Sequence, residues 1–110
     1  MEEHMTTTSP VQIGQHKNKD GETFGLSWWK WEEPVEADYR MYFIKAHHKD
    51  WGDKIYTAFI TKNSYPKEED ATHLATSYLL QEIKKRLDKA KEGKHIILFS
   101  PMNHEGWALI

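Results

Sequence analysis

The chain has 110 residues, 29% of them charged and 13% aromatic, a formal net charge of −2 and no cysteine. That length suits one domain with one real core, and an aromatic share this high argues against disorder. The missing cysteines exclude disulfides, thiolate chemistry and Cys-based metal sites, and the near-neutral charge argues against tight duplex-DNA binding. No apolar run approaches the roughly 18 residues a membrane span needs. Together these features suit a reducing compartment such as the cytoplasm, or the host cytoplasm for a viral protein.

Residues 1–10 read as a tag remnant followed by a flexible N-terminus. The His4–Met5 junction is of the kind cloning sites leave, so His4 is set aside from any site. A single α+β domain is expected over 11–110. Residues 11–15 suit a short edge strand, and "HKNKDGE" (16–22) suits a turn, because Asp20-Gly21 supplies the positive φ of a tight reversal. Residues 24–31 form an aromatic strand that Pro34 stops, and the acidic loop of Glu32, Glu33, Glu36 and Asp38 follows. A strand over 39–48, a turn around Gly52 and a strand over 55–61 complete a meander whose short connections favour antiparallel pairing.

The spacing of Ala71, Leu74, Ala75, Tyr78, Leu79, Ile83, Leu87 and Ala90 predicts a helix over 66–92 with one apolar stripe. Pro66 and the acids at 68–70 suit its start, and the lysines before Gly93 suit its end. "HIILFS" (95–100) reads as a strand buried on both faces, and "WALI" as a last short strand. The fold class is therefore α+β: a mostly antiparallel sheet, in the order β-β-β-β-α-β-β, with one long helix packed on one face.

Alternation sorts the strand residues into two faces. Phe24, Leu26, Trp28, Tyr42, Ile44, Ala46, Tyr56, Ala58 and Ile60 are assigned to the helix side, where the small alanines leave room for a helix. The opposite face then carries Trp29, Trp31, Phe43 and Phe59 between Ser27, Met41, Lys45, Ile55, Thr57 and Thr61. A face so aromatic should be a dimer interface, a partner site or a stacking platform, unless the N-terminal segment or the last strand folds over it.

Catalytic signals are thin. His16, His47, His48, His73, His95 and His104 include no pair at i, i+2 on a strand or i, i+4 on a helix, and His47 and His48 point to opposite faces of an extended strand. No metal, cofactor or catalytic residue is expected. The carboxylates near Pro34 read as a solvated loop, and the glycines form no phosphate cradle.

The leading expectation is a small non-catalytic protein that binds single-stranded nucleic acid. Trp29, Trp31, Phe43 and Phe59 would stack on bases, Lys30, Lys45 and Lys49 would meet phosphates, and Trp51 would extend the aromatic face. The alternative is an inhibitor or accessory factor, of viral type for instance, that uses the same patch for a protein partner or for a homodimer. A third class, a His/carboxylate enzyme, requires a concavity where two histidines and a carboxylate converge.

Overall fold

The computed structural model describes residues 6–87 in full and the backbone of 96–99 and 108–109. Its elements are β1 (Val11–Lys17), β2 (Thr23–Lys30), β3 (Tyr39–His48), β4 (Gly52–Thr61), α1 (Glu68–Leu87), β5 (Ile96–Phe99) and β6 (Ala108–Leu109). They form one sheet in chain order, β1-β2-β3-β4-β5-β6. The first four strands pair antiparallel, as their short turns dictate. α1 carries the chain back across the sheet, so β5 joins β4 in parallel, and β6 returns antiparallel to β5.

The helix is amphipathic by four-residue steps. Ala71, Ala75, Leu79, Ile83 and Leu87 are all buried, and they pack over β3 and β4. Beneath them lie Phe24, Leu26, Tyr42, Ile44, Ala46, Tyr56, Ala58 and Ile60, the face that strand alternation assigns to the helix. Ala46 and Ala58 are fully buried. Burying each large aliphatic side chain here contributes about 1.5–3 kcal/mol. Leu74 is half-buried against this core, but Tyr78 lies on the exposed flank of the helix. At 100° per residue, positions 75, 79 and 83 set the centre of the buried stripe and leave position 78 at its margin. Ala90, Glu92 and Gly93 lie outside the described residues.

Buried polar side chains tie both ends of the helix down. At its start, the Arg40 guanidinium on β3 donates to the carbonyls of Tyr65 (2.9 Å) and Pro66 (3.1 Å). At its end, the Asn18 amide donates to the carbonyl of Leu87 at 3.0 Å. The Asn18 Oδ1 also accepts from the backbone amides of Asp20 (3.1 Å) and Glu22 (2.8 Å), shaping the β1–β2 turn in which Gly21 takes φ 88°. One asparagine thus closes a hairpin and fastens it to the helix C-terminus.

Several sequence boundaries move. β1 runs on through His16 and Lys17, and β4 begins at Gly52, because the hairpin ladders extend almost to their turns. The segment expected to be a flexible N-terminus is paired from Thr6 onward. Thr7 bridges Trp31, the Thr8 amide donates to the Lys30 carbonyl, and the Lys30 amide donates to the Thr8 hydroxyl. The Thr8 hydroxyl here satisfies a backbone group at the end of β2 that would otherwise lack a partner.

A candidate binding face on the sheet

The sheet face opposite α1 is assembled by register. Trp29 lies opposite Phe43, which lies opposite Thr57; Ser27, Lys45 and Ile55 form the next row. Trp31 donates its backbone amide to Met41, whose cross-strand partner is Phe59. Trp29 and Trp31 are two residues apart on one chain, so their rows are about 6.8 Å apart.

The rings lean on one another. Trp29 and Phe43 stack with centroids 5.3 Å apart and planes 12° apart. Trp31 meets Tyr39 at 5.2 Å, and Tyr39 meets Phe59 at 5.6 Å. The centre of the face is closed: Met41, Phe43 and Thr57 are buried. Trp29, Trp31 and Phe59 are half-buried, and Tyr39 is exposed. Phe43 therefore supports Trp29 and does not present a ring of its own. Tyr39 is the member that sequence reasoning missed, although its parity with Met41 and Phe43 places it on this face.

The face is charged at both ends. Beyond Ser27, Asp53 holds the His47 ring through Nδ1 at 2.6 Å and lies 3.9 Å from the Lys45 ammonium. At the other end Glu32, Glu36 and Asp38 are exposed. Glu33 is not simply solvated: it pairs with Lys62 at 3.4 Å and approaches Arg40 at 3.9 Å.

Two proposed members of the face lie elsewhere. Lys30 has the parity of Leu26 and Trp28, so it emerges on the helix side and pairs with Glu68. Trp51 packs on the helix-side core, its ring stacked on His48 with centroids 4.0 Å apart. Lys49 is exposed in the β3–β4 turn. The eight candidates therefore resolve into Trp29, Trp31, Phe43, Lys45 and Phe59 on one face, with Lys30 and Trp51 on the other and Lys49 at the rim.

Two concavities bear on catalysis. A groove of about 850 Å³ between β2 and the start of α1 is lined by Trp28, Lys30, Glu68, Thr72, His73 and Thr76, and so holds a single histidine. A second, of about 510 Å³, is bordered by Glu22, His47 and His48. Both ring nitrogens of the buried His48 are committed, however. Nδ1 accepts from the amides of Asp50 and Trp51, so Nε2 carries the proton and donates to Glu22 at 2.6 Å. This histidine caps a turn and has no free nitrogen for a substrate or a metal. Among the described residues, no three potential metal ligands converge.

Burial pushes the Tyr56 phenol up to about 12. Burial also raises Tyr42, partly offset by its hydrogen bond with Thr72. Desolvation lowers the Lys54 ammonium.

No helix among the described residues is long and apolar enough to cross a membrane. Compared with protein-family profiles, curated proteins and solved structures, the chain matches none.

Proposed function

We propose that this protein binds single-stranded nucleic acid without catalysis, across the aromatic face formed by Trp29, Trp31, Tyr39 and Phe59. The observation that carries the reading is the pair of partly exposed tryptophan rows about 6.8 Å apart on the sheet side away from the helix. That interval is about twice the 3.4 Å rise of stacked bases in a strand, so bases seated on both rows must be unstacked from each other. A flexible single strand meets this condition easily, whereas a duplex keeps its bases stacked inside. Lys45 stands in the row next to Trp29 and Phe43, with Lys49 at the rim, which implies few phosphate contacts.

A second reading, an aromatic site for a protein partner, draws support from how the charges are arranged. Lys45 lies near Asp53, Lys62 pairs with Glu33, and acids stand at one end of the face. Such a surface suits a partner with a basic rim better than a polyanion.

Fluorescence anisotropy with a labelled oligothymidylate and a duplex of equal length separates the readings. The single strand should bind and the duplex much more weakly. Trp31→Ala or Trp29→Ala should weaken binding roughly tenfold, since each base stack is worth about 1–3 kcal/mol. The logarithmic salt slope should be shallow, about 0.7 for each phosphate contacted. Equal affinity for duplex, or unchanged affinity in both tryptophan variants, would refute the nucleic-acid reading. No binding at low salt would leave the protein-partner reading in its place.

A further inference from the structure

We infer that β1 pairs with the β1 of a second copy, so that two chains share one continuous sheet. Among the described residues β1 is the outermost strand on its side of the sheet, and six of its seven residues are exposed. It carries two of the large exposed apolar side chains, Val11 at 56% and Ile13 at 41% exposure. Soluble proteins usually guard such an edge with proline, inward-pointing charge or a covering segment. This strand, VQIGQHK, contains no proline and no acid, and its one formal charge, Lys17, stands at its end.

The guard that is present is a bulge, and the bulge sets the register. Gln12 pairs with Ser27 and Gly14 with the next residue, Leu26, so Ile13 has no partner on β2. A regular outer ladder can therefore use only the stretch from Ile13 to Lys17. Residues opposite each other in an antiparallel pair must point to the same side of the sheet. A twofold axis through Gln15 meets this requirement: Gln15 faces Gln15, Gly14 faces His16, and Lys17 lies across from the Ile13 bulge. No like charges oppose each other, and the Lys17 stem can cover Ile13. The match of the strand to itself favours a second copy over a foreign peptide. The pairing is isologous and the far edge is a different strand, so growth stops at two. A ladder this short buries less than a standard interface, so association should be weak and concentration-dependent.

Sedimentation velocity over a concentration series tests the inference with wild type, Ile13→Glu and Ile13→Lys, with circular dichroism confirming the fold of each. Wild type should shift from monomer toward dimer. In the Ile13→Glu variant the new carboxylate would face Lys17 of the other copy at two symmetric points. It should therefore associate several-fold more tightly than Ile13→Lys, with the difference lost at high salt. Amide hydrogen exchange should show Gly14 to Lys17 gaining protection with concentration. If either variant fails to fold, Gln15→Lys replaces it, since it opposes two lysines at the axis and should weaken the dimer. A wild type that stays monomeric at every concentration would overturn the inference. So would equal association of the two Ile13 variants, or protection that appears elsewhere than β1. The aromatic face plays no part in this contact, so the outcome is independent of nucleic-acid binding.

Discussion

Replacing Asn18 with alanine removes three hydrogen bonds at once, although the residue lies in a turn. The bond to the Leu87 carbonyl is buried; those from the amides of Asp20 and Glu22 are only partly buried, so water can replace them. Removing the donor to a buried carbonyl costs about 1–3 kcal/mol, and each turn bond adds a few tenths to about 1 kcal/mol. Asn18→Ala should therefore destabilise the fold by about 2–4 kcal/mol, a large part of the roughly 5–15 kcal/mol typical of a whole domain. Asn18→Asp gives a sharper test. It preserves the size and the acceptor oxygen, but it sets a carboxylate against the Leu87 carbonyl at the negative end of the helix dipole. It should cost at least as much as alanine despite being nearly isosteric. Urea denaturation followed by far-ultraviolet circular dichroism measures both, with an unchanged m-value showing that the native fold is kept. A loss under about 0.5 kcal/mol for alanine, or a milder effect for aspartate than for alanine, would refute the role of Asn18 as a clamp between hairpin and helix.

Leu87→Ala, at a fully buried position in the last turn of α1, should cost about 2–5 kcal/mol in the same urea assay; a surface-like cost would break the packing argument. Tyr56 sets an alkaline limit. Between pH 10 and about 12 the unfolded chain has lost this phenolic proton while the folded chain keeps it, so stability falls as pH rises through that window. The loss is about 3 kcal/mol at most, at about 1.4 kcal/mol for each pH unit, and Tyr56→Phe should flatten the decline in urea midpoints.

The two-faced sheet is legible in the sequence because three strands keep strict alternation along their paired ladders. The pairing of Trp28 with Ile44 and of Ile44 with Tyr56 holds the helix-side set together without a slip. Alternation also places Lys30 with Leu26 and Trp28, so assigning it to phosphates runs against the same rule that places the tryptophans. Trp51 escapes because a turn residue has no parity. Asn18 and Arg40 are opaque for another reason: their partners stand 69 and 25 residues away in the chain, and only the folded geometry shows that a turn asparagine meets a helix end. The pairing of Thr6 to Thr8 is hidden because composition alone cannot distinguish a loose polar terminus from a polar segment whose backbone has found a strand to pair with.

The contrast between the two faces supports treating the second as a surface for contact. On the helix side Phe24, Tyr42, Ile44, Ala46, Ala58 and Ile60 are fully buried, while Trp28, beside the groove between β2 and α1, stays half-buried. Across the sheet, burial is confined to the central Met41, Phe43 and Thr57, while Trp29, Trp31, Tyr39 and Phe59 stay partly open around them. An aromatic ring kept half in water gives up much of the stabilisation that full burial would bring. Trp31, Tyr39 and Phe59, each in contact with the next, and Trp29, stacked on Phe43, have lost much of their freedom to reorient before any ligand arrives. Pre-ordering of this kind lowers the entropy cost of docking a flat partner. It also means that removing Trp31 should weaken binding far more than folding, whereas removing a fully buried ring such as Phe24 should cost about 3–5 kcal/mol of stability.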